Sequence, residues 1–463
     1  MATHFNSIVI GAGQAGPSLS ARLVGAGEKV LLVERDLLGG TCVNVGCTPT
    51  KALVANARAI QQTRRGEEMG FSLGGALKVD MARVRARKQT VVENSRGGLE
   101  RWLGGLDGLT IVKGEARFVA SHRIEVNGES YEAEKIFINV GARPTIPDLP
   151  GVERVPYLTS TSILELDHVP EHLAVVGGSY VGLEFAQIFR RLGAKVTVVE
   201  RGRRLVAHED PDVSDAVAEV MRAEGIAVRL DAECIRLERD GTKVIVHVSC
   251  TDGEPAVEAS HALLAVGRTP NNDSLALENA GIEVDEHGFI VVDDTLRTSV
   301  AGIWALGDCN GRGAFTHTSY NDYEIVAANL LDGDSRRVSD RIPAHALYID
   351  PPLAQVGMTE EQVRKAGITA QMATRPMRRV SRAAEKGETQ GFMKLLVEKE
   401  SGRILGASIL GTDADEAIHC ILTAMYSGKP VRLLQRSVHI HPTVAELIPT
   451  LAQDLKPLEE RGE

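Results

Sequence analysis

The sequence predicts an α/β protein built on two Rossmann-like dinucleotide-binding units and a C-terminal α+β domain. Three observations carry that expectation. A strand, a glycine turn, a helix, a second strand and an acid follow one another from Ile8 to Glu34, and the same order returns from Leu173 to Glu200. Beyond about Ile342 the texture changes to strands of the antiparallel kind.

In the first unit, Ile8-Val9-Ile10 runs into G-x-G-x-x-G at Gly11, Gly13 and Gly16, and Val30-Leu31-Leu32-Val33 ends at Glu34. Gly11 permits a tight turn, Gly13 lets the backbone approach a pyrophosphate, Gly16 lets helix and strand pack closely, and Glu34 can accept hydrogen bonds from a ribose diol. The motif alone also occurs in glycine-rich structural turns; the flanking strands and the spacing of the acid favour a nucleotide.

Directly behind it lies Gly39-Gly40-Thr41-Cys42-Val43-Asn44-Val45-Gly46-Cys47-Thr48-Pro49-Thr50-Lys51. Two cysteines just after a dinucleotide unit point to electrons passing from a flavin to a disulfide. A zinc pair would want about two further Cys or His ligands, and none lies nearby. Two unreactive core cysteines are the plain alternative.

The second unit has Gly177, Ser179 and Gly182 in the turn and Glu200 at the end of Lys195-Val196-Thr197-Val198-Val199. Two units imply two dinucleotides, against a duplicated fold with one dead site. Ser179 replaces the middle glycine, and its hydroxyl could itself approach a phosphate. Glu200 favours NAD, because a carboxylate there accepts from the ribose and repels the 2′-phosphate of NADP. Arg201, Arg203 and Arg204 could hold that phosphate or form a solvated basic turn.

Phe137-Ile138-Asn139 reads as a strand returning to the first domain, and Leu263 to Asn271, with Gly267 in its turn, does the same for the second. Ile303-Trp304-Ala305-Leu306-Gly307 brings Asp308 to a strand's carboxyl end, where α/β sheets bind ligands. The first domain is therefore interrupted, with residues 1–150 and 271–341 enclosing a second domain of 151–270, and 342–463 forming the third. In that third domain, Phe392 to Val397 and Ile404 to Leu410 read as strands around a Ser401-Gly402 turn, with a helix near Ala414 to Ser427. Towards its end, His441 with Glu446 suits a proton shuttle whose cationic form a carboxylate steadies.

Composition limits the alternatives. A formal charge of −10 over 463 residues argues against nonspecific nucleic-acid or anionic-membrane binding. There is no run of roughly 20 apolar residues and no signal-peptide pattern at Met1 to Asn6, so a cytoplasmic enzyme is expected. Cys234, Cys250, Cys309 and Cys420 are scattered and read as small buried residues. The basic run Arg375 to Arg382 reads as a solvated or substrate-facing strand rather than an RNA site.

Taken together, G-G-T-C-V-N-V-G-C with Lys51, the two nucleotide turns, Gly307-Asp308 and the terminal H-x-H-P-T-x-x-E resemble the class I flavoprotein disulfide reductases, the family of dihydrolipoamide dehydrogenase, glutathione reductase and mercuric reductase. The resemblance spans nearly the whole chain. It implies FAD held by Gly11, Gly13, Gly16, Glu34, Thr41 and Asp308, and NAD held at Gly177 to Gly182 and Glu200, with Tyr180 covering the nicotinamide pocket. It further implies a Lys51–Glu184 ion pair beside the flavin, a Cys42–Cys47 redox disulfide, Cys47 as the thiolate nearer the flavin and Cys42 as the exchanging thiol. The C-terminal domain becomes a dimerisation domain, and His441 with Glu446 completes the partner subunit's site.

The expected function is electron transfer between NADH, FAD, the cysteine pair and a small disulfide or dithiol, in the manner of dihydrolipoamide dehydrogenase. Thr48-Pro49-Thr50 and Phe315 to Tyr320 resemble mercuric reductases instead. The end Leu455 to Glu463 carries no cysteine pair to hand over a metal, which favours the disulfide. An NADH oxidase or flavin monooxygenase would need neither the cysteine pair nor His441.

Overall fold

The computed structural model describes residues 2–232, 235–248 and 254–459; Cys234 and Cys250 lie outside them. In the first domain, Leu109–Lys113, Val30–Glu34, Thr3–Ile10 and Glu129–Ile138 lie side by side and parallel. Their cores are unbroken runs of Val, Ile and Leu, as strands covered on both faces require. Ile8, Leu31 and Ile136 are fully buried. Residues 136–138 also pair with Ile303–Ala305, while residues 129–132 of the same strand pair with Arg123–Val126. The strand read from Ile303 thus returns to the first sheet after the second domain.

The second domain repeats the plan with Ala227–Arg229, Lys195–Val199, His172–Val176, His261–Leu264 and Tyr157–Leu158, all parallel. A three-stranded antiparallel sheet, Arg236–Asp240, Lys243–His247 and Ala256–Ala259, covers one side and has no counterpart in the sequence reading. The chain leaves and re-enters the first domain through a short antiparallel pair, Ala142–Pro144 with Arg268–Pro270.

The third domain is an antiparallel sheet in the order Ala344–Leu347, Leu353–Gly357, Ile404–Leu410, Phe392–Glu398, Ala370–Pro376 and Lys456–Pro457. The Ala414–Tyr426 helix packs on it through Ala417, Ile418 and Ile421. The basic run does not form one strand. Only Arg375 and Pro376 belong to the sheet, Met377–Arg379 is a 3-10 turn, and a short helix starts at Ser381. Pro376 ends the ladder because it has no N–H to donate. No helix among the described residues is long and apolar enough to cross a membrane.

Candidate active site

Both glycine turns are built the same way. Gly11 has φ +104°, and a Cβ there would stand 2.3 Å from the Asn139 carbonyl oxygen; Gly177 has φ +114° and meets the Ala265 oxygen at the same 2.3 Å. A Cβ on Gly16 or Gly182 would lie 2.1 Å from the carbonyl oxygen of Gly11 or Gly177 respectively. These glycines are therefore demanded by backbone packing. Gly13 is different: its nearest neighbour is the Asn139 side chain at 3.4 Å, so its open edge faces the cavity. Neither helix carries a side-chain cap, at Ala15 or at Ser179, which leaves the helical N–H groups for an anionic ligand.

Each strand-end acid is turned onto its loop. Glu34 accepts from the Ala12 N–H at 2.7 Å, and Glu200 accepts from the N–H groups of Gly178 at 2.6 Å and Gly202 at 2.7 Å. Arg203 and Arg204 stand 3.8 Å from Asp231 and Glu361.

A cavity of about 660 Å³ runs from the first glycine turn to the cysteines. Gly11, Gly13, Glu34, Thr41, Cys42, Cys47, Lys51, Tyr180, Glu184 and Asp308 all line it. Its contents are what an FAD needs: an open glycine edge for the pyrophosphate, a carboxylate for the ribose, and a long slot ending at sulfur. Gly16 sits behind the lining. Gly267 also lies off it, its carbonyl accepting from Thr145 N–H at 3.0 Å, while its neighbour Arg268 reaches in, 3.3 Å from Asp308. Burial pushes the Asp308 carboxyl upward, and Arg268 opposes that shift. Asp322, which is buried, holds the turn by accepting from the Gly307 N–H at 2.8 Å and Asn310 Nδ2 at 3.1 Å.

At the far end of the cavity two helix N-termini meet. Cys47 opens the Cys47–Arg64 helix and Thr316 opens Thr316–Leu331. The Thr316 hydroxyl lies 3.3 Å from Cys42 Sγ and 3.4 Å from Cys47 Sγ, and both cysteines are free thiols. The hydrogen bond from Cys42 pulls the Cys47 thiol well below its ordinary value, to about 6. Thr316 and the Lys51 charge assist, against burial and Glu184. The same shared hydrogen bond, together with burial and the charge at Cys47, pushes Cys42 strongly upward. The pair therefore holds one negative charge, on Cys47, and one proton, on Cys42. Cys309 is the opposite case: fully buried, its thiol is pushed up to about 12 by desolvation, and burial likewise raises the half-buried Cys420.

Lys51 Nζ meets Glu184 Oε2 at 2.6 Å, and the other Glu184 oxygen accepts from the Tyr348 N–H at 3.0 Å. Lys51 also lies 4.6 Å above the Tyr348 ring. The third domain thus fixes the ion pair that faces the cysteines. His441 Nδ1 contacts Glu446 Oε2 at 2.7 Å, yet neither residue lines this cavity. Three quarters of the His441 side chain is exposed, and it follows Val438 and Ile440, which are 98% and 80% exposed. Among the described residues no three His, Cys, Asp or Glu side chains form a metal set.

Residues 5–322 match the model of the pyridine nucleotide-disulphide oxidoreductase family, and residues 343–452 match the dimerisation domain of the same family. The chain belongs to that family. It is accordingly an FAD-dependent oxidoreductase that uses pyridine nucleotides, with a C-terminal domain that assembles a homodimer. The probable pyridine nucleotide-disulfide oxidoreductase RclA of Escherichia coli is 37% identical over 451 residues, covering 96% of this chain and 97% of the relative. A solved structure of the Cu(II) complex of that HOCl-induced flavoprotein disulfide reductase superposes with a TM-score of 0.89 at 34% identity, over 97% of this chain and 99% of the other. Mercuric reductase of Streptomyces lividans is 35% identical over 97% of this chain and 96% of its own. Dihydrolipoyl dehydrogenase of Geobacillus stearothermophilus is 34% identical over 96% and 95%. No sequence signal marks Thr316, Arg268 or Asp322 as site residues; the fold brings Thr316 and Arg268 to the cavity wall and Asp322 behind the Gly307 turn.

Proposed function

We propose that this enzyme is an NADH-dependent reductase of a small disulfide, able to run in reverse on a dithiol in the manner of dihydrolipoyl dehydrogenase. The observation that carries the reading is the split thiol pair, Cys47 low and Cys42 high, at one end of a nucleotide-sized cavity. Gly11, Gly13, Glu34, Thr41, Arg268 and Asp308 would hold the FAD, and Gly177 to Gly182 with Glu200 would hold the NADH. FAD bound there would supply two-electron transfer between the reduced nicotinamide and the cysteines.

In the dithiol state Cys47 keeps the negative charge beside Lys51, and Cys42 must lose its proton before it can attack. His441 of a second copy, oriented by its own Glu446, takes that proton. The Cys42 thiolate then attacks one sulfur of the substrate disulfide, its S–S bond breaks, and the departing thiolate collects the proton from the imidazolium. Cys47 next attacks the Cys42 sulfur and releases the second thiol as a thiolate that water protonates, restoring the Cys42–Cys47 disulfide. Two electrons leave the enzyme and two S–H bonds form in the substrate. The exposure of Val438 and Ile440 just before His441 supports a partner covering this segment, since apolar side chains exposed close together mark a surface that another subunit buries.

A second reading has the same machinery reduce a thiophilic metal ion. It draws on the Cu(II) complex of RclA and on the mercuric reductases. A panel of lipoamide, glutathione disulfide, other low-molecular-weight disulfides, Hg(II) and Cu(II), each with NADH, decides between them. The highest kcat/KM is expected for a disulfide, and a clear lead for either metal ion replaces this reading with the second.

NADH is expected to outperform NADPH. Glu200→Ala narrows the gap by about 1–2 kcal/mol, roughly five- to thirtyfold, because it removes both a ribose acceptor and a repulsive charge. Steady-state KM values for both nucleotides test this; a wild-type preference for NADPH shifts the assignment to Arg201, Arg203 and Arg204.

A further inference from the structure

Tyr180, at the start of the nucleotide-domain helix, is tied by groups that the chemistry above does not use. Its hydroxyl donates to Glu209 Oε1 at 2.5 Å and lies 3.0 Å from His345 Nε2, and His345 Nε2 is 2.7 Å from the same Glu209 oxygen. The ring of His345 stacks on Phe315 at an interplanar angle of 5°, and Phe315 meets Tyr180 edge-on. His345 comes from the third domain and Phe315 from the turn just before Thr316, so three parts of the chain converge on one phenol.

Glu209 is only 2% exposed, and its second oxygen, Oε2, has no hydrogen-bond partner. A buried carboxylate with an orphan oxygen is costly and calls for an explanation. Here it cannot relax away. The next residue, Asp210, is 1% exposed; it accepts from the N–H groups of Glu360 at 2.9 Å and Glu361 at 3.0 Å and pairs with the fully buried Lys394 at 2.8 Å. The loop is also strained on its other side. Val206 is a β-branched residue at φ +43°, held there by donating its N–H to the Gly178 carbonyl at 2.9 Å. That glycine turn is the one whose N–H binds Glu200. Burial and the Glu209 charge both push the Tyr180 phenol upward, so it stays protonated and remains a donor.

We propose that Glu209 and His345 form a latch that holds Tyr180 against the nucleotide-domain wall of the cavity, which makes His345 a positioning residue for entry of the nicotinamide. The inference rests on the reading of Tyr180 as the cover of the nicotinamide pocket. The third domain supplies the catch, and the nucleotide must break the hydroxyl's hydrogen bond to a buried carboxylate and its contact with His345 before it can displace the ring. The free energy that holds the latch shut is subtracted from nucleotide affinity.

The test is a double-mutant cycle on the FAD-loaded dimer, read by calorimetric titration with NAD+ and by stopped-flow reduction with NADH. His345→Leu is expected to tighten NAD+ binding about three- to thirtyfold, while the limiting rate of flavin reduction moves less than about twofold. His345→Gln, which can still donate to Glu209, is expected to restore at least half of the difference on a logarithmic scale. Tyr180→Phe, which removes the hydroxyl at almost constant volume, should tighten NAD+ binding as His345→Leu does, and the double variant should show no further gain. It also serves as the probe if His345→Leu fails to fold.

Wild-type NAD+ affinity in His345→Leu and Tyr180→Phe overturns the latch, as do additive effects in the double variant. Failure of the underlying reading looks different: in that case NADH does not reduce the flavin of the wild-type enzyme, although a dithiol does.

Discussion

Cys47→Ser lowers turnover of a disulfide substrate by at least about ten thousandfold, as expected when one member of a unit that acts together is lost. It also removes a long-wavelength absorbance band that the wild-type enzyme shows after anaerobic addition of two electrons. The band requires a thiolate beside oxidised flavin, and Cys47 is the sulfur whose ionised form the site favours. Cys42→Ser behaves in the opposite way, keeping the band without added reductant while losing turnover, because it removes the exchanging thiol and leaves the charged one. The pH dependence has a definite sign. Cys47 is depressed to about 6, so in the two-electron-reduced wild-type enzyme the band is full at pH 8 and fades as the pH falls through about 6. An unchanged spectrum in Cys47→Ser would reverse the assignment of the two sulfurs.

Much of this site could be read from the sequence because its signals are local. Gly11, Gly16 and Glu34 lie within one supersecondary unit, and Gly177, Gly182 and Glu200 within another, so spacing alone sets which backbone groups meet. Cys42 and Cys47 share one glycine-bounded turn. The residues that went unread are those whose role depends on distant contacts. Thr316 reaches Cys42 across 274 positions, and nothing in Phe315-Thr316-His317 announces a helix N-terminus aimed at sulfur. Arg268 carries no signal of its own, because the adjacent Gly267 fits the turn rule after a strand, whereas an arginine in a crossover is ordinarily solvated. Glu209 and His345 are 136 residues apart and in different domains, so no periodicity could have paired them. The basic run from Arg375 departs from a single strand for a simpler, local reason, because Pro376 inside it ends the ladder.

His441→Gln slows the thiol–disulfide half of the cycle by about a hundred- to ten-thousandfold and spares flavin reduction by NADH. The reason is the proton on Cys42. That thiol is pushed upward by its hydrogen bond to Cys47, by burial and by the neighbouring charge, so at neutral pH it cannot attack without a base. Within the same chain the cavity offers His317, but His317 spends Nε2 on the Ala344 carbonyl at 2.7 Å, and burial pushes its imidazole down towards the neutral form. His439 is likewise engaged, its Nδ1 lying 2.7 Å from the Ala445 carbonyl oxygen. Of these three, His441 alone combines an orienting carboxylate with an imidazole exposed for a second subunit. His439→Gln and His317→Gln are therefore the controls and should leave the exchange rate within about threefold of wild type. Stopped-flow mixing separates the halves, and mixing subunits makes the test specific to the dimer. Heterodimers that carry His441→Gln on one chain and Cys42→Ser on the other have one intact Cys42–His441 site if the histidine acts across the interface, and none if it acts within its own chain. Disulfide turnover close to half the wild-type rate is the expected result, and turnover no higher than that of either parent variant would place the base elsewhere.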